Sequence, residues 1–312
     1  MIPQVDSIDT CRRYRQTFLD ICSLGSGEGG FTLTTMAPIR VGGRIAYRPR
    51  VTVVIPALNE ERNLPHIAAA MPTDVDEIVV VDGHSEDRTV EVARLLWPDA
   101  VVVRQTRAGK GNALACGFAA ASGDIIVTLD ADGSNDPGEI PEFVAALVAG
   151  ADFVKGSRFM AGGGSSDITW CRRAGNWGLG AVYNVLFGTR YTDLCYGYNA
   201  FWRHSLAAMA LPDTGAGAPQ WGDGFEVEAL INARVAAAGL TVAEVCSFER
   251  DRLHGASNLH AVRDGIRVLT TIAREYARRG PVTASAPNRH GGVLAGSLGV
   301  AVAAAALVGA RD

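Results

Sequence analysis

The sequence predicts an α/β fold: a mostly parallel, open, doubly wound sheet with helices on both faces. Three observations carry this. Short runs rich in Val and Ile recur at 51–55, 77–82, 101–104 and 124–130. Segments of helical pattern separate them, as parallel crossovers require. The strands are nearly all apolar instead of alternating, as expected when helices cover both faces.

VTVVI (51–55) is a buried strand ended by Pro56. Asn59-Glu60-Glu61 opens a helical segment to about Ala70, and EIVVVD (77–82) is the second strand. SEDRTVEVARLL (85–96) reads as a helix with Ser85 as N-cap and acids in its first turn. VVVR (101–104) is the third strand, 110–121 a helix of small residues, and DIIVTLD (124–130) the fourth strand. Beyond it the pattern predicts a helix at 138–149, a strand at 152–156, a glycine-rich loop AGGGSS (161–166), helices at 173–187 and 224–238, and a strand at 241–248. Residues 1–50, with GSGEGG at 25–30, read as an N-terminal extension, partly disordered, with a short helix over about 8–22.

In open sheets of this kind ligands bind beyond the carboxyl ends of the strands, near the point where strand order reverses. Pro56-Ala57, Asp82-Gly83 and Asp130-Ala131-Asp132 all stand at such ends and are expected to line one crevice.

The 312 residues suit one large domain with appendages. A net charge of −4 gives no basic field for nucleic acid. The first strand runs into PALNEE, not GxGxxG, which argues against a nicotinamide dehydrogenase, and no GxxxxGK[ST] loop occurs. Of the 29 basic residues only Lys110 and Lys155 are lysines, and Lys110 stands in the polar segment RAGKGNA. Six cysteines without CxxC pairs or zinc spacing read as reduced thiols of a cytosolic protein. No apolar stretch at the N-terminus suggests a signal peptide.

Two aspartates separated by one alanine, in VTLDADGSNDP, either cap a turn or hold a hard cation. Three acidic strand ends facing one crevice favour Mg²⁺ or Mn²⁺, whose preferred ligands are carboxylate oxygens. Asp82 could accept hydrogen bonds from a base or ribose.

VTVVIPALNEERNL, VVVDGHSEDRT, RAGKGNA, TLDADGSNDP and GSRF stand in this order over about residues 51–260. With them the chain resembles family-2 glycosyltransferases of the GT-A fold. The polyprenyl-phosphate sugar synthases are the branch nearest in pattern. The resemblance implies a single catalytic domain, a nucleotide-diphosphate sugar donor (UDP- or GDP-sugar), Mg²⁺ or Mn²⁺, and polyprenyl phosphate as acceptor. It implies that Pro56, Ala57 and Glu60 form the nucleoside-binding first loop. Asp82 matches the base-binding aspartate, with Gly83 and Ser85 beside it. Lys110 and Gly111 match a segment near base and phosphates, and Asp130, Ala131 and Asp132 the metal-binding motif. A glutamine often stands two residues after the second aspartate; here it is Ser134, so this loop offers no third protein ligand of that kind.

Arginine forks match phosphate oxygens. Arg158 in GSRF, Arg172 before a helix, and Arg252 and Ser257 in RDRLHGASN are the candidates on the acceptor side. In the family a lysine often follows that serine; here it is Asn258. Asp193 matches the acceptor-loop aspartate, or caps its turn. In WGDGFEVEAL, Asp223 and Glu226 are candidate general bases for inverting transfer to a neutral hydroxyl, or an acidic helix start. Transfer to a phosphate needs no base.

Residues 260–279 predict an amphipathic helix with Arg263, Arg267, Arg274 and Arg278 on one face and Val262, Ile266, Leu269, Ala273 and Tyr276 on another. It suits an anionic lipid surface, or packing on the domain. Residues 291–310 carry no charge and have the length of a bilayer span. The expected organisation is an extension (1–50), a catalytic domain (51–260), an amphipathic helix (261–280) and an apolar tail (281–312). The expected location is cytoplasmic, peripheral or tail-anchored at the cytoplasmic membrane face. The expected function is metal-dependent transfer of a sugar to polyprenyl phosphate, with inversion. The alternatives are transfer to a soluble hydroxyl, with Asp223 or Glu226 as base, and a non-catalytic nucleotide-sugar-binding module.

Overall fold

The computed structural model describes residues 48–255 and 260–279, together with the backbone of 39–41 and 44–46. The expected segments 1–38 and 281–312, and Ser257 and Asn258, lie outside the described residues.

A short antiparallel pair, β1 (Ile39–Val41) and β2 (Arg44–Ala46), precedes the main sheet. The main elements follow in chain order as β3 (Val51–Ala57), α1 (Leu64–Ala70), β4 (Glu77–Asp82), α2 (Thr89–Leu96), β5 (Val101–Arg104), α3 (Lys110–Ala120) and β6 (Ile125–Thr128). Then come α4 (Ile140–Val148), β7 (Phe153–Ser157), β8 (Gly164–Ser165), α5 (Trp170–Phe187), β9 (Asn199–Trp202), α6 (Leu206–Met209), α7 (Val227–Ala237), β10 (Val242–Cys246), β11 (Phe248–Glu249) and α8 (Ala261–Arg278).

Seven strands form one sheet in the order β10-β7-β9-β6-β3-β4-β5. Only β9 runs antiparallel to its neighbours, β6 and β7. The chain steps outward from β3 to β4 and β5, then returns to the other side of β3 with β6. The reversal therefore lies between β3 and β6, whose carboxyl ends carry Pro56-Ala57 and the Asp130 loop. Such a switch point opens a crevice that no crossover covers.

Alternation along β3 divides the core. Val51, Val53, Ile55 and Ala57 pack with α1, α2 and α4 through Leu64, Ile67, Ala93, Phe143 and Leu147. Val54 faces the other way, onto α3 and α7 through Leu114, Phe118, Val227 and Ile231. The small residues of α3 let it lie close to the sheet: a Cβ on Gly117 would fall 2.4 Å from Val54 Cγ1. Each fully buried Leu, Ile or Phe contributes about 1.5–3 kcal/mol.

The structure adjusts several sequence expectations. The second helix begins at Thr89, after Arg88 at the N-cap position, and Asp87 before it accepts from Thr89 N at 2.9 Å. Ser85 instead accepts from Asn59 N and ties two loops together. The helix expected from residue 173 begins at Trp170, where Thr169 caps by accepting from Arg172 N, so Arg172 lies inside the first turn. β9 was not anticipated. Its Asn199 and Ala200 are two buried, weakly strand-forming residues, and an isolated antiparallel insertion leaves no crossover pattern.

In α8 the buried stripe is Asp264, Val268, Thr271, Ile272 and Glu275. Val268 and Ile272 meet Tyr183 and Phe187 of α5 and Ala229 and Ala233 of α7. Val262, Ile266, Leu269 and Tyr276, expected as one apolar face, point outward. Two of the four arginines turn toward the domain instead, while Arg263 and Arg278 stay exposed. Arg267 pairs with Glu226, while Arg267 and Arg274 sit over the Trp221 ring. No helix among the described residues is long and apolar enough to cross a membrane.

Candidate active site

Two cavities share one wall at the carboxyl ends of β3 and β6. The smaller, about 240 Å³, is lined by Pro56, Ala57, Leu58, Glu60, Gly83, Gln105 and Ala113. The larger, about 500 Å³, runs between α5, α7 and the amino end of α8. Lys110, Asp130, Asp132, Phe225 and Arg252 line both and form the seam.

Opposite charges are interleaved at that seam. Lys110 Nζ lies 2.7 Å from Asp130 Oδ1 and 3.6 Å from Glu228 Oε1. Burial works against the ammonium, but Asp130 and Glu228 outweigh it and the net pKa shift is upward. Arg252 reaches Asp132 Oδ2 at 2.9 Å and Glu60 Oε1 at 3.1 Å. Burial raises the pKa of Glu60, against opposing effects of Asn63 and Arg252. Asp132 Oδ1 accepts from Ser134 N at 2.9 Å, and Asn135 Oδ1 accepts from Asp130 N at 3.0 Å. These bonds fix the turn that carries both carboxylates. Gly133, at φ +78°, supplies the backbone conformation the turn needs.

Asp82 and Ser85 stand just behind the smaller cavity. Asp82 is buried, accepts from Ser85 N at 2.9 Å, and has Arg104 at 3.6 Å. Gly111 also lies behind the wall. A Cβ there would meet Gly222 O at 1.8 Å, and its N–H donates to Asp223 O at 2.7 Å. It is a point of close backbone approach that seats the Lys110 turn.

The two candidate bases are each paired with an arginine. Asp223 takes a two-pronged bond from Arg107, both contacts at 2.8 Å, with both side chains buried. It also accepts from Gln220 N. Glu226 is fully buried, is held by Arg267 at 2.7 and 2.9 Å, and accepts from Gly222 N. Burial raises the pKa of each carboxyl, but the arginine bonds outweigh it and both are lowered. Neither lines either of these two cavities. They latch the 220–226 loop.

Asp193 and Arg158 likewise neutralise each other. Arg158 Nε and Nη2 reach the two Asp193 oxygens at 2.6 and 3.0 Å, and Nη1 reaches Glu249 at 3.0 Å. Asp193 is fully buried, while the Arg158 side chain forms part of the large cavity's wall. Arg158 thus meets two carboxylates, Asp193 and Glu249. Arg172 lines the same cavity, and its guanidinium meets the exposed Asp167 at 2.9 Å.

Glu228 and Asn176, both buried on the large cavity, escaped the sequence reading. A signal for Glu228 existed. Glu226 and Glu228 are two helical steps apart, about 200°, so they face opposite sides of α7. Asn176 gave none, since a lone Asn in a helix is usually only polar surface. The other lysine, Lys155, is fully buried in β7, where it bonds to Tyr196 O and to Asn199 Oδ1 at 3.3 Å.

The chain belongs to glycosyl transferase family 2, whose sequence signature matches residues 52–209. An undecaprenyl-phosphate mannosyltransferase of Micrococcus luteus is 32% identical over 63% of this chain and 82% of that relative. An uncharacterized glycosyltransferase of Mycobacterium tuberculosis is 46% identical, over 35% of this chain and 48% of its own length, so the chain spans about half of that relative. Among solved structures, glucosyl-3-phosphoglycerate synthase from Mycobacterium tuberculosis, in complex with Mn²⁺, UDP and glucosyl-3-phosphoglycerate, superposes with a TM-score of 0.56. It is 25% identical and covers 73% of this chain and 80% of its own. The mostly parallel open sheet is thus the GT-A architecture.

Proposed function

We propose that this chain is a metal-dependent glycosyltransferase that moves a sugar from a UDP- or GDP-sugar to polyprenyl phosphate. The observation that carries the reading is the seam: two carboxylates and two cationic side chains where a nucleotide-sized cavity meets a larger one. In this reading the smaller cavity takes the nucleoside, the seam the diphosphate, and the larger cavity the sugar and acceptor.

The residues present suit a divalent cation. Asp130 and Asp132 supply hard oxygens from one fixed turn, and Mg²⁺ or Mn²⁺ commonly needs only one or two carboxylates beside substrate phosphates and water. Among the described residues no third acidic, His or Cys side chain joins them. When bound, such a cation neutralises charge developing on the leaving diphosphate. Lys110, held by Asp130, is placed to donate to a diphosphate oxygen at the same point. Arg252 and Arg172 offer guanidinium groups on the acceptor side.

A phosphate acceptor is favoured over a hydroxyl because both candidate bases are committed to arginines. An ionised phosphate oxygen attacks without losing a proton. The relative from Micrococcus luteus is named for undecaprenyl phosphate. A lipid acceptor also suits the outer faces of α5 and α8, where Trp170, Trp177, Val185, Val262 and Ile266 are exposed. That surface would rest against a membrane. The alternative of a soluble acceptor draws on the solved neighbour with bound glucosyl-3-phosphoglycerate. The non-catalytic alternative gives no role to the paired aspartates.

The test supplies donor and Mn²⁺ with either polyprenyl phosphate or the corresponding polyprenol. Transfer to the phosphate alone supports the reading. Transfer to the alcohol or to a soluble hydroxyl, with none to the phosphate, defeats it.

A further inference from the structure

The amide of Asp130 is held by a side chain. Asp130 N donates to Asn135 Oδ1 at 3.0 Å, whereas the Asp132 carbonyl accepts from a backbone group, Leu253 N, at 3.2 Å. The position of Asp130 therefore depends on what holds Asn135. Asn135 Nδ2 donates to Tyr196 Oη at 2.8 Å. Tyr196 Oη meets Ser247 Oγ at 3.0 Å, and Ser247 Oγ donates to Glu139 Oε2 at 2.5 Å. The other Glu139 oxygen, Oε1, accepts from Phe248 N at 3.0 Å. Asn135, Tyr196 and Ser247 are all buried, so bulk solvent does not replace a lost partner.

The donors all point one way. Asp130 N fixes the Asn135 amide with its oxygen toward the turn and its nitrogen toward Tyr196. At the other end an ionised carboxylate only accepts. The single Ser247 hydrogen therefore goes to Glu139, and the single Tyr196 hydrogen goes to Ser247. Burial raises the pKa of the Tyr196 phenol, which keeps that hydrogen. Bonds that polarise one another in this way can be worth more together than apart. The chain leaves the segment 130–139 at Asn135 and returns to it at Glu139, after crossing the segments that precede β9 and β11. The Tyr196 ring itself lines the larger cavity and carries the Arg158 guanidinium 4.7 Å from its centre.

We propose that Tyr196 and Glu139 are positioning residues for the cation site: acting through Ser247 and Asn135, they fix the Asp130 amide and with it the carboxylate offered to the metal. Neither touches the cation or the substrates in this role. The assignment rests on the metal-dependent reading above. It adds an outer layer to the aspartate turn, built from three segments distant in sequence. Loss of the Tyr196 hydroxyl strands a buried donor on Asn135, which then has no fixed orientation from which to hold Asp130. Glu139→Gln acts at the far end, because an amide supplies one acceptor where Ser247 and Phe248 use two.

Two measurements test it on wild type, Tyr196→Phe, Glu139→Gln and the double variant. Both are made at about pH 8, where the Glu139 carboxyl, pushed up to about 7 by burial, is mostly ionised. Mn²⁺ is titrated in the presence of UDP or GDP and followed by electron paramagnetic resonance. Hydrogen exchange of the Asp130 amide is read by NMR in the metal-free protein. Tyr196→Phe keeps the ring that stacks on Arg158 and removes only the hydroxyl, and Ser247→Ala replaces Glu139→Gln if that variant fails to fold. The expected result is Mn²⁺ affinity at least about tenfold lower in each single variant, the scale of losing an outer partner of a metal site. The Asp130 amide should exchange faster in both. The double variant should bind no more weakly than the weaker single one, because both break the same chain. Unchanged Mn²⁺ affinity or unchanged Asp130 exchange in folded Tyr196→Phe overturns the assignment. So do losses that multiply in the double variant, as those of independent structural defects would. If wild type holds no Mn²⁺ with either nucleotide, this assignment and the metal-dependent reading fall together; if wild type holds Mn²⁺ and Tyr196→Phe holds it equally well, only the assignment falls.

Discussion

Arg252 holds Asp132 at 2.9 Å, and the same guanidinium spans to Glu60 at 3.1 Å. The first loop and the aspartate turn are thereby closed on each other by an internal cation. A divalent ion on Asp132 must compete with that arginine. Arg252→Gln is therefore expected to bind Mn²⁺ several-fold more tightly without nucleotide, by removing a nearby positive charge. The same variant is expected to lose transfer, because the guanidinium on the acceptor side is gone. Mn²⁺ titration followed by electron paramagnetic resonance reads the first effect; equal or weaker binding would argue against competition.

Asp223 and Glu226 are expected to matter for stability, not for proton transfer. Asp223→Asn strands the buried Arg107 guanidinium and is expected to cost about 3 kcal/mol, the scale for breaking a buried pair. Glu226→Gln is expected to cost less, because Arg267 is 40% exposed and water screens the pair. Denaturant melts read the loss. Turnover per folded molecule should stay within a few-fold of wild type, and a thousandfold fall in a fully folded variant would restore the base role.

Glu139 gives the fold a pH dependence near neutrality. Burial pushes its carboxyl up to about 7, only partly offset by bonds from Ser247 Oγ and Phe248 N. Between about pH 4.5 and 7 the folded chain keeps a proton that the unfolded chain has released. Its contribution is therefore greatest below that window and is lost as pH rises through it. Glu139→Gln should flatten this part of the profile in thermal melts from pH 5 to 8; an unchanged slope would assign it to other groups.

Trp170 and Trp177, 83% and 76% exposed, are the most exposed large apolar groups of α5. If that face meets lipid, Trp170→Ser with Trp177→Ser should reduce flotation with anionic vesicles while leaving donor binding intact. Undiminished flotation would remove the face from the account.

The strands and the seam were legible because their signals are local. Val- and Ile-rich runs state their own burial, and Asp130, Asp132, Glu60 and Lys110 follow strand ends directly. Arg158, Asp193, Asp223 and Glu226 were recognised as charged and loop-borne, but their roles depend on partners far away in sequence. Arg107 reaches Asp223 across 116 positions, and Glu249 meets Arg158 across 91. Charge pairing at that range leaves no periodic trace. The face of α8 was misread for a similar reason. Its apolar residues were counted without the polar partners that bury Asp264, Thr271 and Glu275.

In the proposed reaction Asp130 and Asp132 hold a cation for sugar transfer to a lipid phosphate. The most direct measurement follows mass-resolved glycolipid product from a nucleotide sugar and polyprenyl phosphate while Mn²⁺ is titrated, for wild type, Asp130→Asn and Asp132→Asn. The expected result is saturable Mn²⁺-dependent product from wild type and at least about a hundredfold less from either variant, as when a preorganised electrostatic group is removed. Product that forms equally well in chelator, or that survives both substitutions, would contradict it.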